Sequence, residues 1–456
     1  MRFKPVLFGA VVSFILPLAA DAVAQRAERL VWSDEFNGNQ VDPANWEFQI
    51  GNGQAFGLNG WGNNELQYYR EENSAVANGV LTITARNESF GGFNYTSSRL
   101  RSINRFEFAY GRIEASIRLP STPGIWPAFW MLPTGSPYGT WAASGEIDIM
   151  ESVNFADRIY GTIHYGGPFP GNVQAGGQYA PGTDFSQGFH TYTLEWDPNQ
   201  MRWYVDGVLY RVINREVWFS TAAPGDARAP FDREFHILLN VAVGGNFPGN
   251  PNGSSQFPQS MQVDWVRVYQ LDPQPFGGTA AVVPGRVEAE NFDEGYPGQV
   301  YLETDVSNNG GAYRPDEDVD IQATVGGGFN VGWFDFGEWM DYTINVQQAG
   351  EYTVTARVAS ESSGGFFSLQ INELPIGGLA NVPVTGGFQN WTEIEFPVSL
   401  PAGEQTIRFQ NISFPGQEFN LDWMEFTLVD ANECLADTNG DGELTPADFN
   451  AWVLAF

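Results

Sequence analysis

Between Gly111 and Pro120 the side chains alternate: Ile113, Ala115, Ile117 and Leu119 share one face of an extended chain, and Arg112, Glu114, Ser116 and Arg118 share the other. That period of two buries a face only in a strand, because a helix would scatter the same residues around its axis. Leu81-Thr82-Ile83-Thr84-Ala85 repeats the pattern. Short runs of this kind, broken by turns drawn from 52 glycines and 28 prolines, predict an all-β fold of sandwich type. At 456 residues the chain is too long for one ordinary domain, so two or more cores are expected. A net charge of −32 argues against nucleic acid and anionic membrane surfaces as partners.

One strand carries chemistry. In Gly145-Glu146-Ile147-Asp148-Ile149-Met150-Glu151, alternation puts Glu146 and Asp148 opposite Ile147 and Ile149. Continued strictly, it would turn Glu151 into the core and Met150 toward the acids. A buried unpaired carboxylate is costly, so a β-bulge near Met150 is expected to return Glu151 to the acidic face. Three carboxyl groups in a row cannot all ionise cheaply, and at least one pKa must rise. Glycoside hydrolysis needs that asymmetry, one group ionised and one protonated. The backbones of Glu146 and Glu151 would lie about 13–16 Å apart along a strand. Retaining enzymes hold the two carboxyl groups roughly 5–5.5 Å apart, so these side chains must lean together over Asp148. An acidic, solvated outer strand face is the competing explanation.

The flanks decide between the two. They are Gly124-Ile125-Trp126-Pro127-Ala128-Phe129-Trp130-Met131-Leu132-Pro133, Trp141, Gly161-Thr162-Ile163-His164-Tyr165, Trp61-Gly62-Asn63-Asn64-Glu65-Leu66-Gln67-Tyr68-Tyr69, Tyr95-Thr96-Ser97-Ser98-Arg99 and Val263-Asp264-Trp265-Val266-Arg267-Val268-Tyr269. Together with Glu146 to Glu151 they resemble glycoside hydrolase family 16, its laminarinase-like β-1,3-glucanases in particular. The bulged acidic spacing sets these apart from lichenase-type relatives, which lack the extra residue. The resemblance implies a β-jelly-roll sandwich over 28–271 and hydrolysis by double displacement. Glu146 is then the nucleophile, Glu151 the acid/base and Asp148 the assisting carboxylate. It further implies subsite roles for Trp126, Trp130 and Trp141, whose rings suit the C–H faces of sugars, and for Asn63, Arg99 and His164, which would hold hydroxyls or the nucleophile. Glu35, the carbonyl of Gly79, and Asp264 match a calcium site found in many members. His190 and His236 are expected to be structural.

Residues 1–24 have the form of a secretory signal peptide: Arg2 and Lys4, an apolar run from Val6 to Ala20, and Ala22-Val23-Ala24 as a small-x-small cleavage site. No other apolar stretch approaches the length of a membrane span. A secreted, soluble monomer is expected.

At 272–283 Pro, Gly and small residues indicate a linker. From 284 to 430, Val287-Glu288-Ala289-Glu290-Asn291-Phe292, Val331 to Tyr342, Thr385 to Trp391 and Asn420-Leu421-Asp422-Trp423 resemble carbohydrate-binding module family 6. That implies a smaller β-sandwich without catalytic groups, a sugar gripped by Trp333, Trp391 and Asn420, and a structural calcium at Glu288, Glu290 and Asp422. Residues 431–456 differ again. Asp437, Asn439, Asp441 and Glu443, with Gly442 at position six and Asp448 at position twelve, follow the EF-hand loop rule. This short helical tail resembles a single dockerin repeat. Dockerins usually carry two, which leaves a cohesin-like or cell-surface partner open. Cys434, the only cysteine, cannot form an internal bridge.

These readings converge on a secreted retaining endo-β-1,3-glucanase with a β-glucan substrate, structural calcium, no organic cofactor, and an appended sugar-binding module. Mixed-linkage β-1,3-1,4-glucan or a marine galactan is the alternative substrate. A non-catalytic β-glucan-binding protein is the alternative from another class, but such proteins lose the carboxylates that here stand in register.

Overall fold

The computed structural model describes residues 28–304, 308–315 and 317–429. The first half of the chain supplies β1 (Val80–Phe90), β2 (Arg99–Arg101), β3 (Gly111–Arg118), β4 (Ile125–Pro133), β5 (Glu146–Glu151), β6 (Ile159–Gly166), β7 (Asn172–Tyr179), β8 (His190–Trp196), β9 (Gln200–Val205), β10 (Val208–Asn214), β11 (Phe235–Val243) and β12 (Gln259–Leu271). They form two packed sheets. The front sheet runs β7-β6-β5-β4-β11-β2 and ends on Glu47–Phe48; the back sheet runs β10-β9-β8-β3-β12-β1 and continues through Phe93–Ser97 to Gln67–Tyr69.

The alternation in β3 is realised. Ile113, Ala115 and Ile117 enter the core between the sheets, while Arg112 and Glu114 remain partly solvated. β11 is buried along its whole length, because its outer face also lies under side chains: Asn240 there accepts a hydrogen bond from Trp130 Nε1 at 2.8 Å. One apolar cluster joins the two sheets, with Phe129, Ile147, Ile149, Met150 and Trp203 among its members.

A second cluster belongs to the C-terminal sandwich. Its strands include β13 (Phe329–Phe334), β14 (Trp339–Val346), β15 (Gly350–Ala359), β16 (Gly403–Asn411) and β17 (Phe419–Leu428), in one sheet of seven strands and one of six. The stretch expected to be a linker is not a free spacer. Ala281–Val283 pairs in parallel with Ile344 to Val346, and Gln274 exchanges backbone hydrogen bonds with Glu294. Gly277, Gly278, Thr279 and Val282 are exposed, but the strand pairing brings the first strand of the second sandwich to Ala281. Among the described residues the only helices are short 3₁₀ turns. The expected signal peptide (1–24), Cys434 and the EF-hand-like tail with Asp437, Asn439, Asp441, Glu443 and Asp448 lie outside the described residues. No described helix is long and apolar enough to cross a membrane.

The sandwiches meet through polar and aromatic contacts. Arg228 forms an ion pair with Asp318, both side chains being buried. Tyr301 donates its hydroxyl proton to the same carboxylate at 3.2 Å, Gln299 Nε2 donates to the Leu271 carbonyl at 2.8 Å, and the rings of Tyr110 and Tyr296 lie 5.6 Å apart. Losing one member of a buried pair strands the other charge, at about 3–5 kcal/mol. Arg228→Ala is therefore expected to lower the thermal midpoint of the full chain by several degrees and to separate the unfolding of the two sandwiches in calorimetry. An unchanged single transition would show that Asp318 is not dependent on Arg228.

Candidate active site

The bulge expected in β5 is present. Against β4, Ala128 and Phe129 face Glu151 and Met150, but Trp130 faces Asp148, so Ile149 is the extra residue. Against β6, Thr162 pairs with Asp148 and Tyr160 with Glu151, two steps facing three. Ile149 and Met150 consequently both enter the core, and Glu151 returns to the face of Glu146 and Asp148. The apolar sequence at 149–150 makes this register favourable, since it buries both side chains and keeps every acid out of the core.

Each glutamate receives an indole proton. Trp141 Nε1 donates to Glu146 Oε2 at 2.9 Å, and Trp126 Nε1 donates to Glu151 Oε1 at 2.8 Å. His164 reaches across from β6, its Nε2 standing 3.3 Å from Asp148 Oδ2 and 3.7 Å from Glu146 Oε1, beneath the Trp141 ring at 5.4 Å. Burial, and then the charge of Asp148, push the Glu146 carboxyl up to about 7, against the opposing pull of His164. Glu151 rises well above the carboxylate range for the same two reasons, although Trp126 opposes the shift. Burial alone would lower His164, but its bond to Asp148 and the surrounding carboxylates prevail and lift it to about 9. Near neutrality the site thus holds an imidazolium beside Glu146 and Asp148, while the proton shared among the glutamates resides on Glu151.

Glu146, Asp148 and His164 bring ligand atoms within 4.8 Å of one another. A protonated His164 already fills the place a cation would take, so a histidine–carboxylate charge cluster describes this group better than a metal centre does.

The wall beyond Glu146 was only partly legible in the sequence. Arg99 is buried with its guanidinium between the rings of Trp61 and Trp130, 4.4 and 4.7 Å from their centroids, and its Nε donates to Gln49 Oε1 at 2.6 Å. Trp130 is spent on Asn240, which in turn donates to Tyr69 Oη at 3.1 Å; Tyr69 donates to Glu65 Oε2 at 3.2 Å. Gln67 Nε2 donates to the same oxygen at 2.6 Å, and Asn63 also hydrogen-bonds Glu65. Sequence reasoning missed Glu65, Gln67, Tyr69 and Asn240. The signal was a lone carboxylate among aromatics in Trp61 to Tyr69. His236 is buried with both ring nitrogens unpartnered and its ring held neutral, pushed down to about 3 by burial and by Arg101 and Arg99, and His190 bonds Asp206 at 2.7 Å.

In the second sandwich Trp333 projects outward, at a φ of 49° where β13 shifts register against β17. Trp391 is half-buried with the Arg357 guanidinium 5.1 Å from its ring. Asn420 is buried; its Nδ2 donates to Asn330 Oδ1 and to the Phe388 carbonyl, leaving Oδ1 without a partner. The bare backbone of Gly332 leaves room for the amides of Gln322 and Asn420, since a Cβ there would stand 2.9 Å from the first and 3.3 Å from the second.

The expected calcium ligands fare differently. Glu35 accepts from Nε and Nη2 of Arg267, each at 2.8 Å, which a cation taking the Glu35 carboxylate would have to displace. The Glu35 side chain is not free to take a cation while that pair is made. Glu290 has a buried Oε2 without a partner, and its carboxyl is pushed up to about 7 by burial and then by Glu288 and Asp422. Asp422 is itself paired with Arg357 and accepts from Thr324 Oγ1 at 2.8 Å. Glu288, Glu290 and Asp422 do not bring their ligand atoms within 4.8 Å of one another as Glu146, Asp148 and His164 do, so a cation here would have to draw the three together and loosen Asp422 from Arg357.

A two-sheet β-sandwich with paired glutamates on a bulged front strand defines a glycosidase with a pair of carboxyl side chains at its centre. Residues 62–267 match the glycosyl hydrolases family 16 profile, and residues 310–428 match the carbohydrate binding module (family 6). The chain is 43% identical to a β-glucanase of Rhodothermus marinus over 254 residues, 53% of this chain and 85% of the relative. It belongs to glycosyl hydrolase family 16. It is 42% identical to glucan endo-1,3-beta-glucosidase A1 of Niallia circulans over 53% of its own length, though it spans only 38% of that protein. The catalytic domain of an endo-1,3-beta-glucanase (laminarinase) from Thermotoga petrophila superposes with a TM-score of 0.49 at 41% identity, over 54% of this chain and 99% of that one.

The charge of His164 holds Glu146 down. His164→Gln is expected to raise the Glu146 pKa and so move the acidic limb of the kcat/KM profile to higher pH, with the alkaline limb little changed. A pH profile that scales down without shifting would show that His164 serves only to shape the site.

Proposed function

We propose that this protein is a retaining endo-β-1,3-glucanase acting on laminarin-like polysaccharide. The observation that carries the reading is the different electrostatic setting of two glutamates on one bulged strand. Glu146, beside the His164 cation, is the group that ionises first and acts as nucleophile. Glu151, farther up in pKa, keeps its proton and acts as the acid. Glu146 attacks the anomeric carbon as Glu151 protonates the departing glycosidic oxygen, giving a glycosyl ester and a free hydroxyl. Glu151, now ionised, then takes a proton from water, whose oxygen displaces Glu146 and restores both groups. Asp148 and His164 hold the charge of Glu146 in place. Trp126, Trp130, Trp141, Asn63 and Arg99 are assigned to the subsite walls, Trp126 on the Glu151 side and the others on the Glu146 side.

The second sandwich is assigned to β-glucan binding through Trp333, Trp391 and Asn420, and the export implied by residues 1–24 suits a polymer that cannot enter a cell. Calcium is assigned to Glu288, Glu290 and Asp422, where it would cross-link strand ends and neutralise the acid cluster. Glu35, Gly79 and Asp264 would bind it only if Arg267 moved away.

Product analysis on laminarin, barley mixed-linkage glucan and agarose tests the reading. Early β-1,3-oligosaccharides of mixed length from laminarin are the expected result; cleavage of agarose alone would keep the carboxylate roles and overturn the substrate. Glu146→Gln and Glu151→Gln should each reduce kcat on laminarin by at least about 10³-fold with the fold intact by circular dichroism, since general acid catalysis alone is worth ~10²–10⁴-fold. A near-native rate in either would refute the mechanism. Trp391→Ala is expected to weaken retention on insoluble β-glucan while leaving the rate on short oligosaccharides unchanged, as measured by pull-down and by reducing-sugar release.

A further inference from the structure

The catalytic strand is held from behind as well as from its own sheet. Trp203, on β9 of the back sheet, is fully buried, and its Nε1 donates to the main-chain carbonyl of Asp148 at 2.9 Å. Asp148 is the last residue before the bulge, where the ladder with β6 steps from Asp148–Thr162 to Glu151–Tyr160. Between those two partners, on β6, stands Gly161. A Cβ at Gly161 would lie 2.4 Å from Trp203 Cδ1, 2.8 Å from its Nε1 and 2.6 Å from the Tyr210 hydroxyl. The front sheet therefore has a gap at Gly161, and through it the indole reaches the underside of the catalytic strand.

A bulge interrupts the regular ladder, and a buried carbonyl beside it needs a donor that does not depend on strand register. Regular pairing would turn Glu151 into the core and Met150 into the cleft. We propose that Trp203 is a positioning residue for Glu151: its N–H fixes the Asp148 peptide in the bulged conformation, and Gly161 exists to admit it. The inference rests on the assignment of Glu151 as the proton donor proposed above. It adds a residue from the opposite sheet that touches neither substrate nor carboxyl group.

Trp203→Phe removes the N–H and keeps an aromatic ring. Its effect is read as kcat/KM, which reports formation of the glycosyl-enzyme, on two substrates. A laminari-oligosaccharide needs its leaving group protonated, whereas a 2,4-dinitrophenyl β-laminarioligosaccharide does not. The expected result is a fall of about 10- to 100-fold on the oligosaccharide, the scale of a displaced catalytic group, with the dinitrophenyl substrate within about twofold of wild type because it does without general acid help. Equal losses on both, or none on either, would overturn the proposal. If Trp203→Phe does not fold, Trp203→benzothienylalanine, which keeps the bicyclic shape without the N–H, is read in the same way. Should the wild-type protein cleave neither substrate, the glucanase assignment fails, and a crystal structure of Trp203→Phe still decides on Trp203. Movement of residues 149–151 out of the bulged register supports its role, and an unmoved bulge refutes it.

Discussion

Carboxyl groups stripped of water on a single strand are the constraint from which the rest of this site follows. Desolvation is the largest influence on both Glu146 and Glu151, and the charge of Asp148 is the next. Unassisted, such a row would hold its protons and be chemically inert. The surroundings offset this unequally. Glu146 has an indole N–H and the His164 cation, whereas Glu151 has an indole N–H and lies farther from that cation. The inequality separates the two pKa values, and that separation is what lets one group attack while the other donates. Burial supplies the strength of these interactions; the placement of one histidine decides their direction.

A second layer of polarity lies against the first. Arg99 carries a positive charge into the protein, and the aromatic faces of Trp61 and Trp130 on either side stabilise the guanidinium without hydrating it. Glu65 answers that charge, and Tyr69, Gln67 and Asn240 complete its hydrogen bonds. Groups joined in this way make a wall whose polar atoms cannot rotate independently, because turning any one of them leaves a buried partner unsatisfied. A hydroxyl-rich substrate is read best by donors and acceptors held that still. This accounts for the burial of so much polarity where an apolar wall would have been easier to build.

What the sequence disclosed, and what it did not, follows from the range of each interaction. The bulge was legible because its cause is local: strict alternation would bury Glu151, and Ile149-Met150 can replace it in the core. The β class was legible from the same periodicity. The polar wall was not, since Glu65 and Asn240 are joined through Tyr69 across strands far apart in the chain. The surroundings of Glu35 show the same limit. Glu35 and Asp264 have the right chemistry, but the guanidinium that occupies Glu35 belongs to Arg267, three residues beyond Asp264, and nothing local to Glu35 reveals it. The end of the linker was set late because composition marks a stretch as turn-rich without showing that Ala281 to Val283 have a strand to pair with.

Both sandwiches solve one geometric problem in one way. A regular strand sends its side chains alternately to core and solvent, and a sheet so built offers a flat outer face with no means of aiming a group. In β5 the three steps from Asp148 to Glu151 face two of β6, and the extra residue carries Glu151 back to the cleft. In β13 the three steps from Val331 to Phe334 likewise span the two steps from Leu421 to Phe419 of β17, and Trp333 within that stretch takes a positive φ that throws its ring outward. Positive φ is unfavourable for a tryptophan and persists only where neighbours hold it; here β17 fixes both ends of the step. The two sites differ in chemistry, yet each is placed where a strand abandons its period of two. In an all-β chain, those departures are where a side chain gains a direction the sheet alone would deny it.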